Sequence, residues 1–194
     1  FVALPPSTSI ISGFMAGSPG AGKTEVSKEL IGILEKGVPR RVIRFDGDEL
    51  RSRFPGYTGA NSYLFQGAIS IVLDGTFSKY ERAVKKSQRS LERNRRVFIF
   101  YVYQKPEVAW KFTQAREKKE GRHIPKDKFI TQFLAARETV TRIRDEFDER
   151  VNLFFIKKNF ETHAVEEVIR ISPSEQVDSY LGQRYTESEL KTLL

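Results

Sequence analysis

The sequence predicts an α/β domain in which a five-stranded parallel sheet carries helices on both faces. Three observations predict it. Short apolar segments rich in β-branched and aromatic residues alternate with segments whose apolar residues recur at helical spacing. The glycine-rich stretch Gly17–Thr24 falls at the junction of the first strand-like and the first helix-like segment. The chain has 194 residues, 39% of them hydrophobic, which suits one domain with a full core and argues against a second.

The elements follow in order. Ser9–Ser18 (SIISGFMAGS) reads as a buried strand. Val26, Leu30, Ile33 and Leu34 then mark a helix that Gly37 and Pro39 end. Arg40–Asp48 (RRVIRFDGD) is the second strand, Ile71–Thr76 (IVLDGT) the third, Arg96–Tyr103 (RVFIFYVY) the fourth and Val151–Ile156 (VNLFFI) the fifth. Between the last two, Val108, Phe112 and Ala115 mark one helix, and Phe129, Phe133, Ala136, Val140, Ile143 and Phe147 mark a longer one. One place breaks the pattern. Asn61–Ser70 (NSYLFQGAIS) reads as a short helix that runs straight into the third strand. A parallel crossover needs a returning helix with a loop at each end, so residues near Ser70–Val72 are expected to be missing. Residues 1–194 are otherwise expected to form a single domain, with the tail after residue 160 unassigned.

The formal charge of +8 fits either a surface that attracts nucleic acid or a cleft that holds phosphates. Cysteine is absent, which excludes disulfides and thiolate metal sites and fits a reducing, cytoplasmic interior. No apolar run approaches the roughly 18 residues of a membrane span, so none is expected. Nothing resembles a signal peptide, although the sequence starts at Phe1 and a leader before it is left open.

Gly17-Ser18-Pro19-Gly20-Ala21-Gly22-Lys23-Thr24 fits G-x-x-x-x-G-K-[ST], the P-loop, with a strand before it and a helix after it. Small residues let backbone N–H groups close around phosphate oxygens, and the helix N-terminus adds positive potential. Lys23 is the residue to reach the β- and γ-phosphates of ATP, and the Thr24 hydroxyl is a Mg²⁺ ligand. The fold class is thus a P-loop NTPase fold. The GTPase pattern N-K-x-D is absent, and a chain of this length has no room for the helical lid domain of large ATPases. A small phosphotransferase or a nucleotide-binding regulator remains.

Acidic partners stand at strand ends. Asp46 and Asp48 close the second strand, where open α/β sheets bind ligands. Asp48 is read as the base that orients an acceptor hydroxyl and takes its proton, and Asp46 as a helper near the metal. Asp74 ends a strand of Walker B form, to hold Mg²⁺ through water or to hydrogen-bond the substrate, and Thr76 adds a hydroxyl. After the fourth strand, Gln114–Phe129 is a short lid candidate. Its Arg116 and Arg122 suit the charge spread over a transferred phosphoryl group. Lys85, Arg89, Arg93 and Arg96 fall along one stripe with no interleaved aromatics, which reads as a solvated helix face rather than a nucleic-acid contact. Asn159, just after the fifth strand, is placed near adenine.

These residues resemble the zeta toxin family of P-loop kinases. The likeness runs from Phe14 to about Asn159 and rests on GSPGAGKTE, DGDELRSRFPGY, LDGT and the split pair Arg116 and Arg122. It implies that Asp48 is the catalytic base, that Asp74 and Thr76 contact a sugar-nucleotide acceptor, and that the two arginines clamp ATP phosphates. It also implies UDP-N-acetylglucosamine as acceptor and an antitoxin that blocks the ATP site. Two departures touch the acceptor side. The family's usual glutamate is Asp74 here, and an arginine expected two residues after the threonine is Ser78, followed by Lys79. The alternatives are a polynucleotide kinase acting on RNA or DNA ends, and a module that binds nucleotide without transferring phosphate.

Overall fold

The computed structural model describes residues 10–37, 42–47, 50, 69–121, 123–159, 162 and 164–194. The strands are β1 (Ile11–Ala16), β2 (Val42–Asp46), β3 (Ser70–Asp74), β4 (Arg96–Tyr103), β5 (Val151–Lys158) and β6 (Val165–Ile171). The helices are α1 (Lys23–Gly37), α2 (Tyr80–Leu91), α3 (Pro106–Glu120), α4 (Lys126–Phe147) and α5 (Glu187–Leu193). One sheet takes the order β2-β3-β1-β4-β5-β6. The first five strands pair in parallel, and β6 runs antiparallel to β5.

The five-stranded expectation is therefore corrected to six. The extra strand comes from the unassigned tail. Its exposed or half-exposed Val165–Arg170 alternate weakly, as suits an edge strand with one face open to water, and this hid it from an apolar-run reading. The rest of the tail packs as well. Val177, Leu181 and Leu190 are buried in the core. Buried Arg144 of α4 donates to the carbonyls of Glu175 and Ser172 and so ties the turn after β6 to the domain.

Period-two alternation splits each central strand between two cores. In β4, Phe98, Phe100 and Val102 join Met15, Val26, Leu30 and Leu34 on the α1 face. Val97, Ile99, Tyr101 and Tyr103 join Ala83, Ala109, Phe129, Ile143 and Leu190 on the opposite face, under α2, α3, α4 and α5. All six residues expected to mark the long helix are buried along α4. In α3 the face is turned by one position from the expected stripe. Ala109 and Thr113 are buried instead of Val108, Phe112 and Ala115.

Ser70, Ile71 and Val72 lie in consecutive register on β3 against β2. The short helix expected before them lies outside the described residues. Buried Arg95 fastens the amino ends of β1 and β3, donating to Ser12 Oγ at 2.7 Å and to the carbonyls of Ile11 at 2.9 Å and Ile69 at 2.7 Å. It turns inward beside the basic stripe. Lys85, Arg89 and Arg93 are exposed, and Arg96 is half-buried with its guanidinium 5.1 Å from the Phe98 ring centre.

Candidate active site

The loop Gly17–Gly22 joins β1 to the first turn of α1, with Lys23 as the first helical residue. Gly20 has φ +72°, and a β-carbon there would lie 2.0 Å from the carbonyl oxygen of Ala109. Only glycine lets the loop press this closely against α3. The Gly17 N–H donates to the Thr76 carbonyl at 3.1 Å, which fixes the loop to the segment after β3. Ser18 and Ala21 are buried, and Pro19 stands in the turn before Gly20. Lys23 Nζ donates to the Ser18 carbonyl at 2.6 Å, so the lysine arches back over its own loop. Burial pushes its ammonium from the ordinary 10.5 down to about 8. Asp74 opposes that fall, Arg116 adds to it, and Glu25 and Asp46 oppose it. A lysine depressed in this way is a site waiting for negative charge.

The acids stand at the carboxyl ends of neighbouring strands. Asp46 on β2 and Asp74 on β3 are register partners. Asp74 is nearly buried, its side chain 5% exposed. Its Oδ2 lies 3.0 Å from Arg44 Nη1 and 3.3 Å from Ser27 Oγ, and that hydroxyl also lies 2.9 Å from the Thr24 carbonyl. The same Arg44 nitrogen lies 3.3 Å from Asp46 Oδ2. A guanidinium thus links both carboxylates, and Ser27 links Asp74 to the P-loop helix. Sequence reasoning missed Arg44 and Ser27. The signal for Arg44 was a cation two residues before Asp46 in a parallel strand, hence on the same side of it. Thr76 Oγ1 and Ser78 Oγ lie 2.8 Å apart, so a hydroxyl pair stands just after β3. Between them Phe77 takes φ +56°, and its ring stacks on Phe14 at 5.6 Å.

The remaining candidates are distributed as follows. Arg116 is exposed near the end of α3 and pairs with Glu120, Nη2 to Oε2 at 3.1 Å, while its charge still reaches Lys23. Gly121 ends α3 in the left-handed conformation at φ +68°. Asn159 closes the β5–β6 turn, its Oδ1 accepting from the Thr162 N–H at 2.7 Å and its own N–H donating to Ala164. Asp48 and Arg122 lie outside the described residues.

Mg²⁺ demands hard oxygen ligands and takes part of its shell from phosphates and water. The donors present are of that kind: the Thr24 hydroxyl and the carboxylate edge of Asp46. Among the described residues no cluster of three or more His, Cys, Asp or Glu could hold a metal alone. The set therefore fits a metal that arrives with a nucleotide. Among the described residues no helix is long and apolar enough to cross a membrane.

The zeta toxin family profile matches residues 4–65 and 58–166. The two stretches overlap at residues 58–65, between β2 and β3. No curated protein matches the sequence. Among solved structures, the chain resembles one from the PezAT chromosomal toxin–antitoxin system of Streptococcus pneumoniae, with TM-score 0.64 and 16% identity over 99% of this chain and 85% of that one. It resembles AvrRxo1-ORF1:AvrRxo1-ORF2 with TM-score 0.64 and 17% identity, over 89% of this chain and 62% of that one. A structure of the latter complex with ATP gives TM-score 0.61 and 16% identity, over 88% of this chain and 66% of that one. At such identities these likenesses speak for the fold. The family assignment rests on the profile, which spans most of the sequence and includes the P-loop and both acidic strand ends: this chain belongs to the zeta toxin family of P-loop kinases, which are ATP-dependent phosphotransferases.

Proposed function

We propose that the chain transfers the γ-phosphate of ATP to a hydroxyl of a sugar nucleotide, with UDP-N-acetylglucosamine as the favoured acceptor. The observation that carries this reading is the meeting of Lys23, arched over a glycine loop and depressed to about 8, with the linked carboxylates of Asp46 and Asp74 at the carboxyl end of the sheet. One side collects phosphate. The other presents carboxylates and hydroxyls, which suit sugar hydroxyls and repel a polyanionic strand.

In this reading the loop amides and Lys23 hold the β- and γ-phosphates. Asp48 takes the proton of the acceptor hydroxyl as its oxygen attacks the γ-phosphorus, and the bond to the bridging oxygen breaks to release ADP. Asp74, Thr76 and Ser78 orient the acceptor, and Arg116 and Arg122 offset the charge spread over the transferred group. Thr24 and Asp46 would hold Mg²⁺, which when bound neutralises the phosphate oxygens. An antitoxin covering the ATP site is the partner this reading implies.

The test is a competition at equal concentration between UDP-N-acetylglucosamine and a short RNA with a free 5′-hydroxyl, using labelled ATP, with Lys23→Ala as control. Label in the sugar nucleotide, lost in Lys23→Ala, is the expected result. Label in the RNA alone would replace the acceptor with a nucleic-acid end. ATP binding without label in any metabolite would point to a module that only binds.

A further inference from the structure

Lys158 ends β5 and is 7% exposed. Its ammonium makes no hydrogen bond and no ion pair among the described residues. Burying an unpaired cation is costly, so a lysine kept there calls for an anion that is part of the working protein. Its position shows where that anion sits. Alternation along β5 sends Phe154 and Ile156 to the α1 face, and Lys158 continues that row. A β-carbon placed on Gly22 would lie 3.2 Å from both Cε and Nζ of Lys158. The cation therefore rests on the last loop residue before α1, at the positive end of a 15-residue helix, with Lys23 one residue on. Glu25 Oε2 would lie 3.6 Å from the same β-carbon, and it forms no ion pair with Lys158.

Resting on the nucleotide-binding reading above, we propose that Lys158 is a second phosphate-binding cation, which contacts the α-phosphate of the nucleotide. The assignment to the α-phosphate follows from the strand order. Asp46 and Asp74 stand on β2 and β3, while β5 lies beyond β1 and β4. Three strand spacings, on the order of 14 Å, separate β3 from β5. Phosphoryl transfer occurs at the carboxylate side, so the phosphate that faces β5 is the one next to the ribose. Lys23 serves the reacting end and Lys158 the nucleoside end. Asn159 keeps the lysine in place by closing the turn behind it.

The test is isothermal titration of the full chain and its Lys158→Met and Lys158→Arg variants with adenosine, AMP, ADP and ATP. Removing one charge-assisted contact should weaken AMP, ADP and ATP together by about ten- to a hundredfold in Lys158→Met. Adenosine should bind as to the wild type, Lys158→Arg should recover most of the loss, and the melting temperature of ligand-free Lys158→Met should stay level or rise. ATP affinity within twofold of wild type would overturn the proposal. So would adenosine weakened as much as AMP, which would place the lysine on ribose or base. A fall in ligand-free melting temperature would assign Lys158 to the fold instead. If the wild type binds no nucleotide, the P-loop reading itself fails and takes this proposal with it.

Discussion

Arg44→Met tests the link between the two acidic strands. Asp74 is 5% and Arg44 18% exposed in their side chains, and the contact is 3.0 Å. At an effective dielectric of about 20, the gross attraction at this distance is about 5 kcal/mol, and desolvation of both groups consumes much of it. What survives in a charge-assisted contact of this kind is about 1–3 kcal/mol. The Asp46 contact is longer at 3.3 Å, with side chains 21% and 18% exposed. Its share should stay below about 1 kcal/mol. A single substitution cannot isolate these values, because Arg44 makes further contacts. Double-mutant cycles can. Urea unfolding of Arg44→Met, Asp74→Asn and the double variant should give a coupling of about 1–3 kcal/mol, and the cycle with Asp46→Asn a smaller one. Single effects that add within about 0.5 kcal/mol in the Asp74 cycle would refute the view that Arg44 holds this carboxylate.

Four other outcomes are expected. ATP binding near pH 8 should take up about half a proton, because Lys23, depressed to about 8, regains its full charge beside phosphate; titration in two buffers of different ionisation enthalpy reads this, and zero uptake would refute it. By the same sign, the ligand-free protein binds fewer protons at Lys23 than the unfolded chain between about pH 8 and 10.5, so this residue's contribution to stability rises with pH across that window. Gly20→Ala should destabilise the fold by more than about 2 kcal/mol, since the added carbon meets the Ala109 carbonyl at 2.0 Å in a positive-φ backbone; an unchanged melting temperature would contradict the close approach of loop and α3. Asp48→Asn should keep ATP affinity and abolish transfer while Asp46→Asn loses less, and the reverse order in single-turnover assays would exchange their roles.

What was legible in the sequence was whatever a local pattern determines. Buried parallel strands are continuous apolar runs, so β4 was read to the residue at Arg96–Tyr103. The P-loop was legible because its spacing is dictated by phosphate geometry. The sixth strand was not, since an edge strand carrying Glu166, Glu167 and Arg170 has no apolar run to find. The face of α3 was misread by one position because the loop packs on that helix. Gly20 closely approaches Ala109 and Thr113, a contact that no periodicity within the helix encodes. Arg44, Ser27 and Lys158 were invisible for a related reason. Each matters through a partner 30 to 136 residues away on another element, as with Arg44 and Asp74, Ser27 and Asp74, or Lys158 and Gly22.

The departures on the acceptor side take on a different meaning with Arg44 in view. A carboxylate one methylene shorter than the family's glutamate would by itself retreat from an acceptor. Here the shorter Asp74 sits directly across from Asp46, and Arg44 and Ser27 meet the same oxygen. A longer side chain would carry its carboxylate past both donors. Asp74 and Arg44 therefore suit each other, and the acidic strand ends form one braced unit. Ser78 fits the same account. The family's arginine is absent after the threonine, where Thr76 and Ser78 pair their hydroxyls, while a guanidinium stands instead on β2. In the proposed reading, Arg44 on β2 supplies the positive charge beside Asp46 and Asp74. A rigid strand holds a cation more firmly than a loop does. In the proposed reading, the acceptor-side groups among the described residues are the Arg44 guanidinium, the Asp46 and Asp74 carboxylates and the Thr76 and Ser78 hydroxyls, a set suited to a polar, hydroxyl-bearing acceptor that also carries negative charge.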